Sequence, residues 1–356
     1  MVDIFKHHTA VNASVEFDNH IFISFLNDAS SGLRGYIALH RKNMDIPLFG
    51  ATRIWHYESD SEALDDALRL SKMMSYKSAM AGLKYGGAKG IIILDSKTGD
   101  KKNRNKVLEK YTEYVNQLNG QFITGTDVGL TQQDLRLMRK KSKNIVGFNG
   151  NAAEFTALGV YYSIQICLEK VFGVNDIRGR SFAIQGLGKI GKGILELIYK
   201  DAKEIYVSDI DPNKISAIKQ EFPAVKIVSP KKIHKQRVDV FCPCALSHAV
   251  DSKTIADLSC KIIAGGANNQ LENKEMGELL YKLGILYAPD YVINAGGLIS
   301  VVDEYENKIY NKKRVELRVR NIQNTLNRIF KLSKEQDKAP NVIADELAEK
   351  IISKFK

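Results

Sequence analysis

Two lysines, an aspartate and a glycine-rich turn are the residues of this chain whose types and spacing suit chemistry. The turn lies in Ser181-Phe-Ala-Ile-Gln-Gly-Leu-Gly-Lys-Ile-Gly191, where a short apolar run meets Gly-x-Gly-x-x-Gly. In such a pattern Gly186 permits the tight turn, Gly188 lets the backbone approach a pyrophosphate, and Gly191 lets the next helix pack closely on its strand. Lys189 and Ile190 open that helix, whose free N–H groups and positive dipole end suit phosphate. The strand-like run Glu204-Ile-Tyr-Val-Ser-Asp209 then places a carboxylate about twenty residues on, where a ribose hydroxyl needs an acceptor. Because a carboxylate repels a 2′-phosphate, Asp209 favours NAD over NADP, with Lys214 nearby leaving room for a phosphate. A plainer role for Asp209, capping the turn Asp209-Ile-Asp-Pro-Asn213, stays open.

Lys89 lies among small residues in Gly86-Gly87-Ala-Lys89-Gly90, at the mouth of the apolar run Ile91-Ile-Ile-Leu94. A cation in that place is either used or loses its charge. Lys77 would share the site if its helix and the glycine segment fold back on each other. Two ammonium groups repel and burial disfavours charge, so one pKa is expected well below the free value of about 10.4. The neutral amine suits general-base work and the charged one suits holding a carboxylate. By residue type alone, either lysine also suits a solvated surface.

The elements that must position these groups are those of an α/β protein. The 356 residues suffice for two domains, each with its own core, and the composition is that of an ordinary globular protein, 44% apolar and 26% charged. Residues 20 to 147 mix strand-like runs with helices, whereas 160 to 302 repeat a helix and strand rhythm typical of a parallel sheet. The expectation is a substrate and oligomerisation domain over 1–147, completed by C-terminal helices in 331–356. A Rossmann-type, doubly wound NAD-binding domain is expected over 148–330, with substrate in the cleft between the two. Within the first, Ser59-Asp-Ser-Glu62 offers a capping box for a helix with apolar positions at Leu64, Ala67 and Leu68, ending at Gly82. Leu317 to Phe355 reads as amphipathic helix broken near Pro340.

The formal charge of +11, from 52 Lys and Arg against 41 Asp and Glu, raises the question of nucleic acid. The basic runs are short and lack interleaved aromatics for base stacking, so solvated faces explain them and no nucleic-acid partner is expected. No apolar run reaches the roughly eighteen residues of a membrane helix, and the start carries no signal segment. A cytoplasmic protein without a membrane partner is expected. Cys167, Cys242, Cys244 and Cys260 form no Cys-x-x-Cys pair, and the seven histidines have no ligand spacing. Reduced thiols and no metal are therefore expected.

Five further blocks stand in a fixed order: Ala67 to Ala79 with Tyr76-Lys77, Leu83 to Gly90, Phe122-Ile-Thr-Gly-Thr-Asp127-Val-Gly129, Ile263 to Leu271, and Tyr287 to Gly297. With the dinucleotide turn they cover most of the chain, and together they resemble the leucine/phenylalanine/valine amino-acid dehydrogenases. The resemblance implies that Lys77 binds the substrate carboxylate, that Lys89 activates water and shuttles protons, and that Asp127 exchanges a proton with the substrate nitrogen. Gly86 and Gly87 match glycines whose backbone lies along the substrate. Asn268 and Asn294 match asparagines around the nicotinamide ribose and ring, and Thr156 a threonine near the carboxamide.

The implied reaction needs these residue types. Loss of a hydride from an α-carbon to NAD leaves an iminium, which water converts through a carbinolamine to a 2-oxo acid and ammonia. A carboxylate clamp, a base and a proton relay are required. The positions matching the side-chain pocket, Phe49, Gly125, Leu298 and Val301, are apolar or small, so a charged substrate would meet no partner. Gly125 and Leu298 lean towards a larger ring and the bulk of Phe49 towards a smaller one. Leucine, phenylalanine and a tryptophan-type substrate stay open. The family's longer loop before the threonine is shortened here to Phe148-Asn-Gly-Asn-Ala-Ala-Glu-Phe155, and Ser247 replaces a common glycine. The short loop favours a non-catalytic sensor of NAD or amino acid, and intact Lys77, Lys89 and Asp127 favour the enzyme. A homo-oligomer, dimer or octamer, is a further implication.

Overall fold

The structure, a computed structural model, describes residues 14–94, 101–148, 151–245, 248–307 and 309–355. Ser247 and the centre of the short loop, Asn149 and Gly150, lie outside the described residues. The chain divides into two compact units: residues 1–149 with 304–308 and 348–356, and residues 150–303 with 309–347. Of the C-terminal stretch expected in the first domain, only 348–356 cluster with the first unit.

The first unit is built on a five-stranded mixed sheet of β1 (Phe22–Asp28), β2 (Leu33–Leu39), β3 (Leu48–Trp55), β4 (Gly86–Ile93) and β5 (Phe122–Ile123), in the order β1-β2-β4-β3-β5. β1, β2 and β4 run antiparallel in turn, and β3 is parallel to both β4 and β5. One face packs on the helix Asp60–Met80, whose Ala63, Leu64, Ala67 and Leu68 form a core with Tyr36, Ala38 and Ile91. The other face buries Leu26, Leu48, Ile54, Ala88 and Ile92 against Val107, Leu108 and Tyr111 of the helix Lys101–Gln117.

The cap of Asp60–Met80 differs in detail from a reciprocal box. Ser59 accepts from the Glu62 N–H, but the Glu62 carboxylate accepts from the N–H of Glu58 rather than that of Ser59. Beneath this helix lie two buried histidines. His20 contacts Ser71 and Leu68, while His40 contacts Ser75 and, at 3.3 Å, Asp18.

β4 starts earlier than its apolar run, so Gly86, Gly87 and Lys89 belong to the strand and not to a loop at its mouth. The cause is close packing in place of strand propensity. A Cβ on Gly87 would stand 2.1 Å from the Ser75 nitrogen and 2.3 Å from the Ser71 carbonyl oxygen, so only glycine lets the strand lie this near the helix.

The second unit carries a six-stranded, wholly parallel sheet: β6 (Ser181–Gln185), β7 (Glu204–Ser208), β8 (Lys226–Ile227), β9 (Val238–Pro243), β10 (Cys260–Ile263) and β11 (Leu286–Tyr287). Its order, β11-β10-β9-β6-β7-β8, puts the reversal between β6 and β9. That is the strand order of a dinucleotide-binding sheet, with its ligand crevice beyond the carboxyl ends of β6 and β9. The C-terminal region breaks twice and not once: helices Lys312–Arg320, Ile322–Gln336 and Pro340–Ile352 are separated at Asn321 and at Asp337, whose φ of 52° ends the second.

Candidate active site

In the first unit the alternation of β3 and β4 decides which side chains meet. Phe49, Ala51 and Arg53 pair in register with Gly87, Lys89 and Ile91, so all six share the sheet face under the helix Asp60–Met80. Lys89 is buried there at 4% exposure and donates to Asp127, which follows β5. Burial presses the ammonium to lose its proton and lowers the pKa; Asp127 opposes this and the Arg53 cation adds to it. The Asp127 carboxylate, which burial alone would raise, is instead held well below the usual range by Lys89 and Arg53.

Arg53 had drawn no notice in the sequence. Its Nε donates to Asp127 at 3.2 Å and its Nη1 to Asp66 at 2.9 Å. A lone charge on an alternation of β3 that otherwise holds Phe49, Ala51 and Trp55 was the signal available.

Lys77 stands half-buried on the last turn of Asp60–Met80. The Gly87 backbone is already engaged: its N–H donates to Ser75 Oγ at 2.8 Å and its carbonyl accepts from His40 at 2.9 Å. Gly86 is buried at the start of β4, opposite Leu48. Gly125 gives its carbonyl to the Thr52 N–H at 3.0 Å. Phe49, 1% exposed, packs edge-on to Tyr85 at 4.6 Å and to Tyr305 at 5.2 Å, so its surroundings are aromatic. Tyr85 and Tyr305 are contacts that motif reading missed.

In the second unit the glycine turn has the form its spacing requires. Gly186 adopts a φ of 93°, strained for any side chain, directly after β6. Gly188 caps the helix Lys189–Ile198 without a side-chain cap, and a Cβ there would meet nothing within 4 Å, leaving open space before the helix's first N–H groups. Ile190 is half-buried and Lys189 exposed on the first turn, and at Gly191 a Cβ would lie 1.9 Å from the Gly186 carbonyl oxygen. Asp209 accepts from the Leu187 N–H of this turn at 2.7 Å and from the Asp211 N–H at 2.9 Å, and Lys214 lies 3.7 Å away. Burial would raise its pKa, but these N–H groups and Lys214 lower it. Asp209 therefore does cap its own turn and also ties that turn to β7. A carboxylate has about four acceptor positions, so capacity for a hydroxyl remains.

Asn294 Nδ2 donates to Asn268 Oδ1 at 2.8 Å and to the Ala267 carbonyl at 3.3 Å, while its buried Oδ1 has no hydrogen-bond partner. An orphaned buried acceptor beside an exposed asparagine is what an amide-bearing ligand would satisfy, so the residues present fit a nicotinamide dinucleotide. Thr156 donates to the Ala152 carbonyl at 2.8 Å and accepts from the Gly297 N–H at 3.1 Å, fixing two helix starts together. Leu298 and Val301 are half-buried, three residues apart on one face of the helix Gly296–Glu306. Among the described residues no group of three or more His, Cys, Asp or Glu could hold a metal, and no helix is long and apolar enough to cross a membrane.

Comparison with known proteins places this architecture. Residues 18–144 match the Glu/Leu/Phe/Val dehydrogenase dimerisation domain, and residues 147–350 match the Glutamate/Leucine/Phenylalanine/Valine dehydrogenase domain. The chain is 37% identical over 340 residues to leucine dehydrogenase of Bacillus cereus, spanning 94% of this chain and 91% of that protein. It is 40% identical over 343 residues to L-tryptophan dehydrogenase of Nostoc punctiforme, spanning 95% and 94%. Identity to phenylalanine dehydrogenase of Lysinibacillus sphaericus is 39% over 322 residues, 88% of this chain and 83% of that one. The crystal structure of the Nostoc punctiforme enzyme superposes with a TM-score of 0.80, covering 94% of this chain and 96% of that one. With both halves matched in order and a nicotinamide-type fold in the second, this protein belongs to the Glu/Leu/Phe/Val family of amino-acid dehydrogenases.

Proposed function

We propose that this chain oxidatively deaminates a hydrophobic L-amino acid, leucine or another branched-chain residue or phenylalanine, to its 2-oxo acid and ammonia, reversibly and with NAD. The observation that carries the reading is the Lys89–Asp127 pair: a buried amine with lowered pKa, on the strand that also carries Gly86 and Gly87, held against a carboxylate that follows β5. Lys77, half-buried on the last turn of Asp60–Met80, clamps the substrate carboxylate. Lys89 takes the proton from the attacking water, a task eased by burial that already favours its neutral form. Asp127 exchanges a proton with the substrate nitrogen. The pair is intact, which supports turnover over a sensor.

NAD, when bound, supplies the hydride acceptor. Gly186, Gly188, Lys189, Ile190 and Gly191 would hold its pyrophosphate, Asp209 its ribose, and Thr156, Asn268 and Asn294 its nicotinamide half. Asp209 supports NAD over NADP because a 2′-phosphate would meet a carboxylate already ionised. Phe49 and Gly125 in the first unit, and Leu298 and Val301 in the second, are the apolar groups assigned to the substrate side chain. None offers a partner to a charged one.

A homo-oligomer, dimer or octamer, is in keeping with the dimerisation-domain match and with the exposed apolar residues Ile21 and Phe22 at edge strand β1. Free cysteines throughout fit the cytoplasm. The test is the rate of NADH formation at alkaline pH with a panel of L-amino acids, repeated with NADP. Turnover of branched-chain or phenylalanine substrates with NAD is expected; inactivity on every hydrophobic amino acid would refute the proposal.

A further inference from the structure

The charges behind Lys89 form an alternating file whose members beyond Asp127 have no part in the reaction as derived so far. Asp127 Oδ2 is shared between Lys89 and Arg53 Nε, while its Oδ1 accepts from the Val128 N–H at 2.7 Å. Arg53 Nη1 reaches Asp66 on the helix Asp60–Met80 at 2.9 Å. Asp66 is itself fixed by Tyr57 Oη at 2.7 Å and Arg69 Nη2 at 2.5 Å. The guanidinium is thus held at both ends, a geometry suited to its planar fork and beyond a lysine's single ammonium.

We propose that Arg53 is a positioning residue of the reaction, holding the Asp127 carboxylate at Lys89 and setting, through its own charge, the pH at which Lys89 gives up its proton, with Asp66 as its anchor and counterweight. The inference rests on Lys89 being the base, as read above. The groups facing Lys89 come from each packed element: Asp127 from the loop after β5, Arg53 from β3, and Asp66 from the helix, which also carries Lys77 on its last turn; β2 places only Ala38 opposite it. Two consequences have opposite signs. Removing the Arg53 charge relieves a repulsion on Lys89 and leaves Asp127 to it alone, so the amine holds its proton to higher pH. Removing the Asp66 charge takes away a more distant attraction, so the amine releases its proton at lower pH.

The experiment compares Arg53→Gln, Arg53→Lys and Asp66→Asn with wild type in two ways. One is the pH profile of kcat/KM for the preferred amino acid; the other is the pH dependence of Lys89 acetylation by acetic anhydride, read by peptide mass spectrometry without substrate. In Arg53→Gln both rising limbs should move to higher pH, lowering kcat/KM about three- to tenfold at a fixed pH on the limb. Asp66→Asn should move them the other way. Arg53→Lys should restore the limb position while kcat stays reduced, because the charge returns without the fork. Unmoved limbs in a folded Arg53→Gln protein, or shifts of the same sign in Arg53→Gln and Asp66→Asn, would overturn the proposal. If Arg53→Gln does not fold, the other two variants decide: limbs at the wild-type position with reduced kcat in Arg53→Lys, beside limbs moved to lower pH in Asp66→Asn, support the proposal, and limbs unmoved in Asp66→Asn overturn it. A wild type inactive on every amino acid refutes the dehydrogenase reading, while the acetylation profiles still test Arg53.

Discussion

Replacing Asp127 with Asn leaves two cations facing an amide, and the cost can be worked from the burial of each. Arg53 keeps Asp66 and part of its solvent contact, so it loses little. Lys89, at 4% exposure, has no such relief. Breaking a buried pair by removing one partner costs about 3–5 kcal/mol when the other stays charged. The amine escapes by shedding its proton, which for an ordinary lysine costs about 4.6 kcal/mol at pH 7 and about 0.5 kcal/mol at pH 10. Asp127→Asn should therefore destabilise the first unit by about 3–5 kcal/mol at pH 7 and by about 1 kcal/mol at pH 10.

The sign follows from proton counts. With the folded pKa of Lys89 lowered, the unfolded chain holds the extra proton between the folded and unfolded values, so stability rises with pH across that window. Asp127, whose folded pKa is lowered, stays ionised at both pH values and is neutralised only on strong acidification, so the difference between pH 7 and pH 10 comes from Lys89. Urea titrations at pH 7 and pH 10 can be followed by the single tryptophan, Trp55, at the end of β3. A difference from wild type that is equal at the two pH values, or below about 1 kcal/mol at pH 7, would refute the charged-pair argument.

Lys89→Ala should abolish turnover while leaving NADH binding within about twofold, measured by fluorescence titration, since the glycine turn lies on the other unit. Lys77→Ala should raise KM for the amino acid at least about tenfold, as expected for a lost charge-assisted contact, and steady-state kinetics with varied substrate reads it directly. Phe49→Ala removes a ring packed on Tyr85 and Tyr305, so a loss of about 3–5 kcal/mol in urea unfolding is expected, with relative activity shifted towards larger side chains. Burial depresses His20 to about 4 and His40 to about 3, so below the ordinary value of about 6.5 the unfolded chain binds more protons than the folded one. Stability should fall by roughly 3 kcal/mol for each histidine between pH 6.5 and pH 4, and His40→Asn should flatten that slope in denaturant titrations.

Motifs that act through the backbone were the most legible in the sequence. Gly186, with its positive φ, and Gly191, with its close approach to Gly186, each have one steric task, and a task of that kind shows in spacing alone. The parallel order of β6 to β11 likewise follows from the repeating helix and strand rhythm. The start of β4 was not legible, because glycines signal a loop unless the helix pressed against them is known. Arg53 was hidden for a related reason. Its partners Asp66 and Asp127 lie 13 and 74 residues away, and only the packing of the helix Asp60–Met80 on the sheet and the pairing of β3 with the chain after β5 bring them together. The second C-terminal break, at Asn321, carries neither glycine nor proline and left no mark in the pattern.

Gly87 has consequences beyond its packing. With its amide hydrogen on Ser75, the main chain at that point has no donor left for a visitor, while its carbonyl oxygen, already taken by the His40 N–H, keeps one acceptor position. On the proposed function, a substrate lying along Gly87 finds no free N–H there, and discrimination falls largely to side chains, which mutation can exchange one at a time without disturbing the peptide framework beneath them. A scaffold of this kind tolerates retuning, in keeping with relatives of similar identity being named for leucine, phenylalanine and tryptophan.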